Sequence, residues 1–235
     1  MRNCVITGAD RGVGSALTAE MLSRGLRVFA GQYMPEWPEL DALKEKYGDQ
    51  LTILPLDVSS TESVFAMAKA VAEYTDTVDM VINVAGISGR DPELGNAPDI
   101  ANMVRVFQTN SVGPMRMVNA FLPLMEKGEK RLAFVSSEAG SIACDTRGGY
   151  VSYPMSKTAL NSAVKLMFND LQPKGFKFRL YHPGWVRSYM SGKKSTMGTV
   201  EPEETAIPLA NQILEDRDWE DTLILIDNEE RAWPF

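Results

Sequence analysis

Residues 3–22 read NCVITGADRGVGSALTAEML: a short apolar run, then Gly8, Gly12 and Gly14, then apolar residues at helical spacing. The run is a predicted strand and the segment after the glycines a predicted helix. Glycines at such a junction let backbone amides approach an anion, which then sits on the positive end of the helix. The spacing is T-G-x-x-x-G-x-G, not G-x-G-x-x-G. A turn that cradles a pyrophosphate is one reading, and a tight turn with no ligand is the other.

Working outward, the pattern of this opening repeats. NCVITG, RVFAG, LTILPLDV, DMVINVAG, KRLAFVSS, FKFRLYHPG and DTLILI are short runs rich in Val, Ile and Leu, separated by longer amphipathic stretches. That alternation predicts βαβ units and a parallel sheet covered on both faces. No internal repeat, low-complexity segment or long Pro/Gly linker divides the chain. The expectation is one α/β domain over residues 1–235, a Rossmann-type doubly wound sheet of about seven mostly parallel strands with helices on both faces.

Composition narrows the partners. The 235 residues are 44% hydrophobic and 23% charged, with 24 Lys and Arg against 31 Asp and Glu and a net charge of −7. The longest basic run is the pair Lys193-Lys194, so nucleic acid is not an expected partner. Cys4 and Cys144 lack CxxC spacing and nearby histidines, which argues against zinc or a structural disulfide. A strand that starts almost at residue 1 leaves no room for a cleavable leader, and no apolar run reaches the ~20 residues of a membrane span. A cytoplasmic location is therefore expected.

Several motifs occur in a characteristic order: TGADRGVG, LDV at 56–58, NVAG at 83–86, TNSVG at 109–113, VSS at 135–137, YPMSK at 153–157 and HPGWV at 182–186. Together they resemble the short-chain dehydrogenase/reductase family over nearly the whole chain. The run AGSIACDTRGGYVSYPMSKTALNSAVK with HPGWVRSYM and a terminal RAWPF is most similar to its C-factor and sniffer-like carbonyl reductase branch. The resemblance implies hydride transfer between a nicotinamide cofactor and a small-molecule carbonyl or alcohol, with a tyrosine giving or taking the hydroxyl proton. Free tyrosine, with a pKa of ~10, is a poor base near neutral pH. The family solution is a neighbouring lysine ammonium and the positive nicotinamide ring, both of which favour the phenolate.

GGYVSYPMSKTAL, residues 148–160, offers two tyrosines. Tyr153 stands four positions before Lys157, the spacing that stacks side chains on one helix face at ~6 Å. Tyr150 stands seven before it, about 10 Å of helical rise away. Gly148 and Gly149 argue against a helix reaching back that far, and Pro154 is tolerated only in a first turn. A helix beginning at about Ser152 is predicted, with Tyr153 as the acid/base and Tyr150 in the loop before it.

The resemblance assigns further roles. Ser137 matches the serine that hydrogen-bonds the substrate oxygen, although sixteen positions separate it from Tyr153 where about thirteen is usual; a strand-end cap, or Ser136 in its place, are the alternatives. Asn110 matches the asparagine that holds the lysine and a water in a proton relay, against a structural amide in a helix kink. For the cofactor, the resemblance marks Gly8, Asp10, Arg11, Gly12, Val13 and Gly14 in the turn, Asp57 and Val58 after the third strand, and Asn83, Ala85 and Gly86 after the fourth. Tyr153 and Lys157 join them, with Pro183, Gly184, Val186 and Ser188 around the nicotinamide. Asp57 serves equally well as a cap for the helix at SSTESV. FAGQYMPEW ends the second strand without an acid, and Arg11 is placed to meet a 2′-phosphate, so NADP(H) is favoured over NAD(H).

His182, the one histidine, is expected to pack or cap rather than bind metal. Residues 189–203 are expected to form a substrate lid. In the family, the helices around NMVRVFQTNSVGPMRMVNAFLPLM and SKTALNSAVKLMFNDL build a dimer interface, which implies a homodimer or higher homo-oligomer. Besides a reductase, the residues admit a cofactor-binding regulatory or signalling protein of the same fold with little or no turnover. A sugar-nucleotide epimerase or dehydratase shares the Tyr-x-x-x-Lys pair, but its glycine spacing and longer C-terminal substrate region are missing.

Overall fold

The computed structural model describes every residue except Arg90 and Ser191; Ser191, within the expected lid, thus lies outside the described residues. The elements run β1 (Asn3–Ile6), α1 (Gly12–Ser23), β2 (Arg27–Gln32), α2 (Glu39–Tyr47), β3 (Leu51–Pro55), α3 (Thr61–Ala72) and β4 (Met80–Asn83). They continue with α4 (Ile100–Phe107), α5 (Gly113–Met125), β5 (Arg131–Val135), α6 (Ser152–Leu171), β6 (Lys177–His182), α7 (Pro202–Leu214), β7 (Leu225–Asp227) and β8 (Ala232–Trp233). The strands form one sheet in the order β3-β2-β1-β4-β5-β6-β7-β8. All pairings are parallel except β7 with β8.

The central strands β1, β2, β4 and β5 are apolar on both sides because helices cover both faces of the sheet. Val5, Phe29, Val81, Leu132 and Phe134 face one core with Met117 and Phe121 of α5 and Leu160, Val164 and Phe168 of α6. Their strand neighbours Cys4, Ile6, Val28, Ala30, Met80, Ile82 and Ala133 face the other, against Leu17 and Met21 of α1 and Leu209 and Ile213 of α7. The period-two alternation of the strands thus sorts side chains into two cores rather than into core and solvent.

Two details depart from the sequence expectation. Among the described residues the strands number eight, because the chain returns as the short antiparallel β8, where Trp233 Nε1 donates to Asp227 at 3.0 Å. The long helix expected through NMVRVFQTNSVGPMRMVNAFLPLM is interrupted by a π turn over Gln108–Val112, which joins α4 to α5. No helix among the described residues is long and apolar enough to cross a membrane.

Candidate active site

The strand order reverses between β1 and β4, so the loops leaving them diverge and open a crevice beyond their C-terminal ends. Gly8, Asp10, Arg11, Gly12, Val13 and Gly14 line that cleft. Asp57, Val58, Ala85 and Gly86 extend it, with Tyr153, Lys157, Pro183 and Ser188. The first turn must be glycine where it crosses β4's loop: Gly8 has φ of +61°, and a Cβ there would fall 2.8 Å from Ala85 Cα.

The end of β3 resolves one alternative. The cap of α3 is Ser60, whose hydroxyl accepts from Ser63 N. Asp57 does not cap that helix; it accepts instead from the amide and hydroxyl of Ser59 at 2.8 and 2.6 Å. Asp10 is turned toward β2, where its Oδ1 accepts from Tyr33 N at 2.6 Å and Met34 N at 3.4 Å. Burial raises the Asp10 carboxyl pKa against the pull of those amides.

At the other end of the cleft, α6 begins at Ser152 and carries Tyr153 and Lys157 in its first two turns. Tyr150 stays outside the helix, exposed and at φ of +51°. Lys157 is buried, donates to the Val135 carbonyl at 2.8 Å, and sits 5.7 Å from the centroid of the Tyr153 ring. Burial lowers the Lys157 ammonium to about 8. Burial also pushes the Tyr153 phenol up to about 12, against a side-chain hydrogen bond with Ser137. Desolvation of the phenolate outweighs that hydrogen bond, and Tyr153 holds its proton across the neutral range.

Ser137 acts as the strand-end cap, one of its two readings. Its oxygen accepts from Ala139 N at 3.1 Å, capping the short turn after β5, and its hydroxyl donates to Glu138 Oε2 at 2.7 Å. Ser136 lines the cleft, but its hydroxyl is directed to Asn161 at 2.6 Å. Asn110 lies in the π turn, fully buried. Its Oδ1 accepts from Ile87 N at 2.8 Å, and its Nδ2 donates to Ile87 O at 2.9 Å and Ser156 Oγ at 3.0 Å. Gly86 separates it from Lys157: a Cβ on Gly86 would lie 3.5 Å from Asn110 Oδ1 and 3.6 Å from Lys157 Nζ.

Three expected cofactor residues stand back from the cleft wall. Asn83 is buried at the end of β4 and donates to Ala133 O at 3.3 Å. Gly184 lies against Asn228, and Val186 bridges to Val200. His182 is buried beside Glu138, Nδ1 to Oε2 3.1 Å, and packs edge-on against Trp233. Among the described residues no cluster of three His, Cys, Asp or Glu side chains could hold a metal ion.

The sequence reading passed over several groups that the fold brings to this region. Glu138 touches Ser137, His182 and Arg147. Burial pulls its carboxyl up, but those three neighbours together leave it below its ordinary value. Asp91 accepts from Ser152 at the start of α6. Trp37 and Met34 surround the Arg11 guanidinium. Glu138 could have been noticed as a charge beside Ser137; the others depend on contacts between distant segments.

The sequence model of the family described as short chain dehydrogenase matches residues 2–198. A curated relative, the C-signal of Myxococcus xanthus, is 47% identical over 124 residues, 52% of this chain and 74% of that protein. The 1-hydroxy-2-glutathionyl-2-methyl-3-butene dehydrogenase of Rhodococcus sp. (strain AD45) is 32% identical over 218 residues, 91% of each chain. Among solved structures, an NADPH-bound carbonyl reductase from chicken fatty liver superposes with a TM-score of 0.89 at 27% identity, covering 100% of this chain and 99% of that one.

Proposed function

Since the chain belongs to the short-chain dehydrogenase/reductase family, we propose that it is an NADP(H)-dependent reductase of small carbonyl compounds, with Tyr153 as the general acid/base. The supporting observation is the convergence of three separate segments at one end of a cleft that begins at a glycine turn: Tyr153 and Lys157 of α6 line it, Ser137 after β5 hydrogen-bonds Tyr153, and Asn110 of the π turn lies with Lys157 beside Gly86. The similarity to an NADPH-bound carbonyl reductase favours the same reading.

The residues present fit a nicotinamide dinucleotide. The glycine turn Gly8–Gly14 would take the pyrophosphate, Asp57 and Val58 the adenine, and Pro183 and Ser188 the nicotinamide, with Gly184 and Val186 behind them. Gly86 keeps open the space beside Lys157 that a side chain would fill. Arg11 stands in the cleft wall, feels the charge of Asp10 and makes no ion pair among the described residues; it would receive a 2′-phosphate. The cofactor, when bound, supplies or accepts the hydride.

The chain's own residues handle the proton. Tyr153, protonated at neutral pH because its phenolate would be desolvated, gives the hydroxyl proton to the carbonyl oxygen. Ser137, its hydroxyl proton turned from Glu138 to the same oxygen, fixes its position. Lys157 places positive charge beside the phenolate left behind, and Asn110 holds the backbone on which that pocket depends. Reduction starts from the proton state that burial favours; alcohol oxidation requires Tyr153 to lose its proton first.

A panel of aldehydes, ketones and quinones, followed by loss of NADPH absorbance, tests the proposal, with turnover of at least one class expected. Tight NADPH binding without turnover of any would favour the second reading, a cofactor-binding regulatory or signalling protein, to which the 47% identity with the C-signal lends weight. NADPH is expected to bind more tightly than NADH, with Arg11→Ala narrowing the gap. Equal affinities in the unmutated protein would remove the NADP(H) preference.

A further inference from the structure

The Arg11 side chain is long and lies in the cleft wall, yet it is not left to find its own pose. Its Nη1 is 2.9 Å from Met34 Sδ, and its guanidinium carbon lies 4.8 Å over the centroid of the Trp37 ring. Trp37 is itself held in place. Its amide donates to Met34 O at 3.3 Å, closing the turn after β2, and its ring meets Tyr189 edge to face at 4.9 Å and 67°. A guanidinium on an aromatic face keeps its charge and its planar fork of donors while losing little further freedom on binding.

The surroundings leave this one cation exposed to a ligand. Among the residues of the glycine turn and the end of β2 that line the cleft, Arg11 alone is cationic. The amides of Tyr33 and Met34, which could otherwise meet an anion, are taken by Asp10. Recognition of an anionic group in that corner therefore falls on Arg11, and the pose of Arg11 depends on Trp37.

We infer that Trp37 is a specificity-determining residue: it positions Arg11 for the 2′-phosphate of NADP(H) by stacking beneath its guanidinium, without touching the cofactor's reacting atoms. The inference rests on the NADP(H) reading above. Loss of the ring frees the arginine, so the effect falls on ligands that carry the 2′-phosphate and spares those that lack it.

Calorimetric titration with 2′,5′-ADP and with 5′-AMP separates the two, and needs no turnover. The wild-type protein is expected to bind 2′,5′-ADP more tightly than 5′-AMP. Trp37→Ala should weaken 2′,5′-ADP by roughly 3- to 30-fold, the range of a cation–π contact, while 5′-AMP stays within about twofold. Trp37→Phe, which keeps an aromatic face, should retain most of the 2′,5′-ADP affinity. If Trp37→Ala weakens both probes equally, or discriminates as well as wild type, the inference is overturned and the NADP(H) reading survives. If the wild-type protein itself binds both probes equally, that reading falls and takes the inference with it.

Discussion

Asp91 and Ser152 are joined twice: the Asp91 Oδ2 accepts both the backbone amide and the hydroxyl of Ser152, each at 2.9 Å. Ser152 opens α6, and the residue before it, Val151, offers no side-chain cap. A carboxylate 61 positions away thus satisfies a first-turn amide and places negative charge at the helix N-terminus. The next residue of that helix is Tyr153, so the contact also sets where the proposed proton donor stands.

Replacing Asp91 should show both effects. Asp91→Ala is expected to lower stability by about 1 kcal/mol, the usual value of a lost N-cap, read from urea unfolding. It should also reduce kcat for an accepted carbonyl by more than it changes NADPH affinity. Asp91→Asn keeps an acceptor and should recover most of the stability. An Asp91→Ala protein with unchanged stability and kcat would show that the helix start needs no cap from this loop.

The buried Lys157 predicts a pH dependence of folding. Its ammonium titrates at about 8 in the folded protein, against ~10.4 in an unfolded chain. Between those values the unfolded state binds more protons, so stability rises with pH across the window, by on the order of 3 kcal/mol over the full gap. Other groups titrate there too, and the comparison with Lys157→Met isolates this one. The variant should be the more stable protein near pH 7, with an advantage that shrinks toward pH 10. An advantage independent of pH contradicts an ammonium depressed by burial.

Apolar side chains remain exposed on the helices expected to form a dimer interface: Ile100 and Val104 on α4, Met115 on α5, Met155 and Leu166 on α6. Sedimentation at micromolar concentration is expected to give at least twice the 26.0 kDa chain mass. The double substitution Val104→Glu, Leu166→Glu should return a single-chain species that keeps NADPH binding. A wild-type protein sedimenting at one chain's mass would overturn the expected dimer.

How far these features could be read in advance depends on whether their cause is local. The seven strand runs and the start of α6 at Ser152 follow from neighbouring residues: β-branched runs, the Gly148-Gly149 break and Pro154 in the first turn. β8 is two residues long, too short for any periodicity, and is held by the bond from Trp233 to Asp227. The π turn inserts into a helix whose apolar pattern tolerates an extra residue, and Asn110 within it is tied to Ile87. Ser60 rather than Asp57 caps α3 because it stands three residues before the amide it accepts. Asp91 below α6 and Trp37 under Arg11 belong to loops whose partners only the tertiary fold brings near. The candidate catalytic residues were visible as motifs, but the elevated pKa of Tyr153 comes from burial, which no motif records.

The central claim is that Tyr153, and not Tyr150, carries the proton. Tyr153→Phe keeps the packing of the ring and removes the transferable proton, whereas the Tyr150 hydroxyl lies outside α6 on an exposed residue. The decisive measurement is kcat and NADPH affinity for both variants with one carbonyl substrate that the wild-type protein reduces. Tyr153→Phe should lose roughly 10²- to 10⁴-fold in kcat with NADPH affinity little changed, and Tyr150→Phe should stay close to wild type. An active Tyr153→Phe beside an inactive Tyr150→Phe would contradict the assignment.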